Sequence, residues 1–170
     1  CTRTHLVPMD VSRVITGAVG WAAGVFQTIE RRGGPIPAGP VLVVANHPNS
    51  LLDPAVVVAI AGRPVRFLAK APLFTDPLVG WLIRASGAIP GYRRQDDPGL
   101  LQRNDDTFGG VGEALHRGDA IGLFPEGLSH SGAALVPLKT GAARIALGAA
   151  AGSGNAFPSV PIGLVFRDKR

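Results

Sequence analysis

From residue 41 onward the chain repeats one move: a short apolar run of strand character, then a stretch of helical length. "VLVVA" precedes an apolar helix near 52–61, and "VRFLA" at 65–69 precedes "PLVGWLIRASG". "GAIPGY" precedes a helix expected over about 98–117, and "DAIGLF" at 119–124 leads through a loop into the Ala-rich helix "KTGAARIALGAAA". The last strand reads "SVPIGLVF". Parallel neighbours in a sheet need crossover connections, usually helices, so this alternation predicts an α/β fold with a mainly parallel sheet flanked by helices. In such sheets functional side chains gather beyond the carboxyl ends of the strands. The two polar stretches that follow strands, "NHPNSLLD" and "PEGLSH", are therefore expected at one edge.

The 170 residues suit one domain with its own core. Before the strands lies "VITGAVGWAAGVFQTI", sixteen uncharged residues between Arg13 and Glu30. That is short of the ~20 that a membrane span requires. With Trp21 and Phe26 inside and Arg13, Glu30, Arg31 and Arg32 flanking, residues 11–29 read as a helix lying on a lipid surface; packing on the chain's own domain is the competing account. Residues 1–29 are thus expected to be a tail with an N-terminal apolar helix, and 30–170 the folded domain. Both ends read as cut, the C-terminal one directly after a strand pattern, and Met9 is a candidate start. The lone Cys1 leaves no disulfide framework and fits a reducing, intracellular setting. Seventeen Lys and Arg against twelve Asp and Glu give a net charge of +5, which favours anionic partners without choosing among them.

Asn46 and His47 fall just past "VLVVA", with Asp53 six positions on. In one continuous helix His47 and Asp53 would sit ~240° apart, so the chain must turn between them for the two to meet. "HPNS" supplies the break, with Pro48 resisting strand pairing and Asn49 or Ser50 able to cap the next helix. A carboxylate folded back on the imidazole would fix its tautomer and stabilise its cation, as a general base requires. On this pair alone the plainer account is a helix-capping Asp53 and a loop histidine. The second polar stretch shifts the balance, because it brings Glu126 and Gly127 to the same edge.

Four blocks in order, "ANHPNSLLDP", "GAIPGYRRQDD", "FPEGLSH" with "PLKTGAA", and "VPIGLVF", resemble the phospholipid/glycerol acyltransferases, which include glycerol-3-phosphate and lysophosphatidate acyltransferases. The resemblance runs from about residue 30 to the end. It implies an acyltransferase domain over 30–170, with His47 as general base and Asp53 as its partner, while Arg93, Glu126 and Gly127 bind a glycerol-phosphate acceptor. Five residues, "PNSLL", separate His47 from Asp53 where the commonest family pattern has four. His130 stands in the "FPEGLSH" form where others carry Arg. Arg94 and Lys139, and more weakly Lys70, are further candidates to grip a phosphate. The expected chemistry is direct transfer from an acyl thioester, on coenzyme A or acyl carrier protein, to a hydroxyl, with no cofactor, at the cytoplasmic face of a membrane. The acceptor is glycerol-3-phosphate or, alternatively, lysophosphatidate.

Other classes account for fewer of these residues. A metal hydrolase would want closely spaced ligands, and neither H-E-x-x-H nor a His/Asp run is present. Nucleotide-binding glycine loops of the two common forms are missing as well. A nucleic-acid binder would explain the charge but not the His and Glu stretches, and a single Tyr offers little stacking surface. A non-catalytic lipid-binding relative is the remaining competitor. The presence of both His47 and Asp53 argues for catalysis over it.

Overall fold

The computed structural model describes residues 17, 29–50, 52–77, 79–92, 104–130, 132 and 134–167, without the side chains of 104–106 and 153. The elements are β1 (Val41–Ala45), α1 (Leu52–Ala61), β2 (Val65–Lys70), a 3₁₀ turn (Ala71–Thr75), α2 (Val79–Ala85), β3 (Ile89–Gly91), α3 (Asn104–His116), β4 (Ala120–Leu123), α4 (Gly141–Ser153) and β5 (Ser159–Ile162). The five strands form one sheet in the order β3-β2-β4-β1-β5, and every neighbouring pair is parallel. The expected α/β architecture with a parallel sheet is what the chain adopts.

Why the strands read as continuous apolar runs follows from their two covered faces. Leu42, Ile121 and Leu123 pack with Val111, Ala114 and Leu115 of α3 and with Ile145 and Ala149 of α4. Alternate residues Val41, Val43, Ala45, Val65 and Ala120 point the other way, onto Val57 of α1 and Leu164. Each fully buried Val, Leu or Ile in these layers contributes about 1.5–3 kcal/mol of transfer free energy.

Two boundaries differ from the sequence-based expectation. The last strand ends at Ile162 instead of running to Phe166. Beyond it the Asn46 side chain takes the place of a strand neighbour: its Nδ2 donates to the Leu164 carbonyl at 2.9 Å and its Oδ1 accepts the Leu164 N–H at 2.6 Å. Within "PLVGWLIRASG" the helix is short, Val79–Ala85, and a 3₁₀ turn, Ala71–Thr75, precedes the stretch. The N-terminal apolar helix predicted over 11–29 lies almost wholly outside the described residues. Among the described residues no helix is long and apolar enough to cross a membrane.

The sheet's N-terminal edge is tied by Arg63, whose guanidinium donates to the carbonyls of Pro37, Gly39 and Gly118, and by an Arg66–Asp119 ion pair at 2.8 Å. These cations are consumed in joining loops.

Candidate active site

At the C-terminal edge the loops after β1 and β4 are bound to each other chiefly through His47. Its N–H donates to Glu126 Oε2 at 2.8 Å, and its carbonyl accepts the N–H of His130 at 3.1 Å. Ser50 N–H donates to Ser129 Oγ at 3.0 Å, a third tie between the same loops. Both backbone groups of the histidine are therefore fixed by the "PEGLSH" stretch. The backbone turns at "HPNS", where the Asn49 carbonyl accepts the N–H groups of Leu52 and Asp53 and starts α1.

That turn returns Asp53 to His47. Asp53 is fully buried, and its Oδ2 lies 2.7 Å from His47 Nδ1 and 2.7 Å from the Asn49 N–H. One oxygen thus both pairs with the ring and accepts the N–H at the entry to α1, and Asp53, the second residue of that helix, is not its N-cap. A carboxylate only accepts, so Nδ1 carries the ring proton and Nε2 keeps its lone pair. The imidazole is held on its face as well as its edge. It stacks on Phe124 at 4.0 Å between centroids and 9° between planes, and Phe124 stacks in turn on Phe67 at 5.3 Å and 10°. Phe67 can lie there because its register partner across β2 and β4 is Gly122, where any Cβ would overlap the ring.

Glu126 is buried, and its oxygens face the N–H groups of His47 and Val136 and the Nε2 of His130 at 3.2 Å. Burial acts to raise its pKa, but the His47 N–H, the His130 side chain and the Val136 N–H outweigh that and hold the carboxyl below the usual carboxylate range. The Gly132 N–H donates to His130 Nδ1 at 3.2 Å, which leaves Nε2–H to point at Glu126. Glu126, expected to touch the acceptor, is thus placed behind the loop, holding His47. Gly127 closes the turn by donating its N–H to the Phe124 carbonyl, at φ +70°. A Cβ there would sit 2.8 Å from Lys139 Nζ. The glycine gives Lys139 its path across the turn.

His47 faces a cleft of about 310 Å³ at the ends of β2, β3 and β4. Lys70, Lys139 and Arg144 line it together with Tyr92 and Thr107, and among the described residues its lining includes no Asp or Glu. Among the described residues none of the three cations has a carboxylate within ion-pair distance; Arg144 instead lies over the Phe108 ring at 5.1 Å. Lys139 and Lys70, expected to grip a phosphate, both line this cleft. Arg93 and Arg94 lie outside the described residues. Arg144, Phe67, Phe124 and Gly122 escaped the sequence reading. Only for Arg144 was there a signal: it lies on the first turn of a helix that leaves the functional edge.

Comparison with known proteins gives this geometry a relationship. The chain is 36% identical over 105 residues to the lyso-ornithine lipid O-acyltransferase of Pseudomonas aeruginosa, covering 62% of this chain and 37% of that protein. It is 29% identical over 126 residues to the chloroplastic 1-acyl-sn-glycerol-3-phosphate acyltransferase BAT2 of Brassica napus, covering 74% of this chain and 33% of the relative. The chain thus spans little more than a third of the length of these relatives. The crystal structure of the 1-acyl-sn-glycerophosphate acyltransferase PlsC from Thermotoga maritima matches 89% of this chain and 54% of its own with a TM-score of 0.60, a likeness of fold at 21% identity. The family model described as Acyltransferase matches residues 28–165. That span takes in all five strands and both of the loops that meet at His47, and the chain belongs to the acyltransferase family.

Proposed function

We propose that the chain transfers a fatty acyl group from a thioester to the hydroxyl of a lysolipid acceptor with an anionic headgroup, lysophosphatidate in the first instance, as a step of glycerolipid synthesis. The observation that carries this reading is the His47–Asp53 pair at a cleft lined, among the described residues, by Lys70, Lys139 and Arg144 and by no carboxylate. His47 Nε2 takes the hydroxyl proton as the oxygen attacks the thioester carbonyl. The resulting tetrahedral intermediate expels the thiolate, which takes the proton back from the imidazolium. Asp53 stabilises that imidazolium and keeps the ring in the working tautomer. Lys70, Lys139 and Arg144 hold the acceptor's phosphate, by charge in the lysines and by a planar fork in the arginine. The donor is an acyl thioester of coenzyme A or acyl carrier protein, and the reaction runs at the cytoplasmic face of a membrane.

A second acceptor is favoured by a specific likeness, that to the lyso-ornithine lipid enzyme. Its headgroup carries a cation as well as an anion, and among the described lining residues no carboxylate is present to pair with that cation. Purified protein supplied with a labelled acyl thioester and, separately, lysophosphatidate, lyso-ornithine lipid or glycerol-3-phosphate tests the assignment. Labelled phosphatidate is the expected product. Transfer to none of the three would overturn the reading, and transfer to glycerol-3-phosphate or lyso-ornithine lipid alone would reassign the acceptor.

A further inference from the structure

His130 belongs to the polar stretch after β4, and the chemistry at His47 leaves it unused. Its side chain is only 19% exposed, and it reaches His47 by two routes. The backbone N–H of His130 donates to the His47 carbonyl at 3.1 Å, while its ring Nε2 lies 3.2 Å from Glu126 Oε1. The other oxygen of that carboxylate accepts the His47 N–H at 2.8 Å. Three residues thus close a ring of hydrogen bonds that grips the peptide groups on both sides of His47.

How firmly the ring closes depends on the carboxylate. Glu126 is buried and charged, so each of its oxygens is costly wherever a donor is missing. Backbone supplies two donors, the His47 N–H and, at 3.4 Å, the Val136 N–H; His130 supplies the side-chain donor. In the neutral imidazole the Gly132 N–H at Nδ1 assigns the ring proton to Nε2, which aims it at Glu126. The same contact helps to keep Glu126 ionised. Among the described residues that line the cleft, neither His130 nor Glu126 appears, so a part for His130 in the reaction runs through His47. We propose that His130 is a positioning residue of the transfer: by fixing Glu126 it sets the backbone of His47, and with it the direction of Nε2, without touching either substrate. The proposal rests on the reading that His47 is the base.

Two substitutions separate the two bonds of the ring. In His130→Gln the side-chain amide reaches about as far as Nε2 and can donate to Glu126; in His130→Asn the shorter amide oxygen takes the place of Nδ1 and can accept from Gly132. With an acyl thioester and lysophosphatidate as substrates, His130→Ala and His130→Asn in the intact chain should lower kcat about tenfold and leave both KM values within about twofold, because a displaced base loses rate and not binding. His130→Gln should recover most of the loss. Hydrogen exchange of the His47 amide needs no turnover: it should quicken about tenfold in the Ala and Asn variants and stay near wild type in His130→Gln. Should His130→Ala fail to fold, the Gln and Asn variants decide by themselves. A higher acceptor KM at unchanged kcat would overturn the proposal by making His130 a substrate contact. Recovery in His130→Asn but not in His130→Gln would overturn it as well, by reducing the histidine to a turn residue serving Gly132, and so would unchanged His47 exchange in every variant. The expected exchange pattern without acyl transfer by any form, wild type included, would leave the clamp on His47 standing and remove the enzymatic reading instead.

Discussion

Gly122→Ala tests whether the His47 imidazole, the proposed base, is positioned from two strands away. The added Cβ would lie 2.3 Å from Phe67 Cε1 and 2.5 Å from Cδ1, well inside the ~3.5–4.0 Å at which carbons pack. The ring must retreat by more than ~1 Å, and overpacking of this kind costs about 1–3 kcal/mol of stability. Phe67 supports Phe124, and Phe124 supports His47 at 4.0 Å, so the displacement is passed to the base. A misplacement of ~1 Å at a reacting centre costs on the order of 10²-fold in rate. Denaturant unfolding and steady-state turnover on the same preparations measure the two losses. In a Phe67→Leu background the ring edge that collides is gone, and the stability cost of Gly122→Ala should fall to less than about 1 kcal/mol, a coupling visible in the double-mutant cycle. Equal costs in both backgrounds, or full turnover in Gly122→Ala, would refute the positioning argument.

Glu126 is held below the usual carboxylate range, so its contribution to stability is complete above the unfolded value of about 4.3 and is lost as pH falls through the lower folded value. The stability gap between wild type and Glu126→Gln should therefore be wide at neutral pH and narrow below pH ~4.3, and a gap independent of pH in denaturation series would contradict this. Lys139→Ala and Arg144→Ala should each raise the acceptor KM about tenfold with the donor KM nearly unchanged; an equal rise for both substrates would remove these residues from the phosphate site. Asp53→Asn keeps the shape but permits the wrong ring tautomer, and kcat should fall by about 10²–10⁴, with circular dichroism confirming the fold.

What could be read from the chain was what local patterning encodes. The parallel sheet followed from five apolar runs with helical stretches between them, and His47 and Glu126 stood out as polar residues just past strands, with Asp53 six positions beyond His47. The role of Glu126 could not be read. Its place behind His47 depends on how two loops 79 residues apart meet. Phe67 and Gly122 were opaque for the same reason, because only the β2–β4 register sets one opposite the other. The strand pattern of "SVPIGLVF" was misleading beyond Ile162, since the partner that ends the ladder is a side chain, Asn46, and no propensity reports that.

The central claim is that His47 Nε2 accepts the proton of the acceptor hydroxyl, and the turnover number of His47→Ala tests it most directly. With the fold verified by circular dichroism and saturating acyl thioester and lysophosphatidate, kcat should drop by about 10²–10⁴, the usual weight of general-base catalysis. A folded His47→Ala variant turning over at a rate close to wild type would contradict the account, since the proton would then be taken by something other than His47.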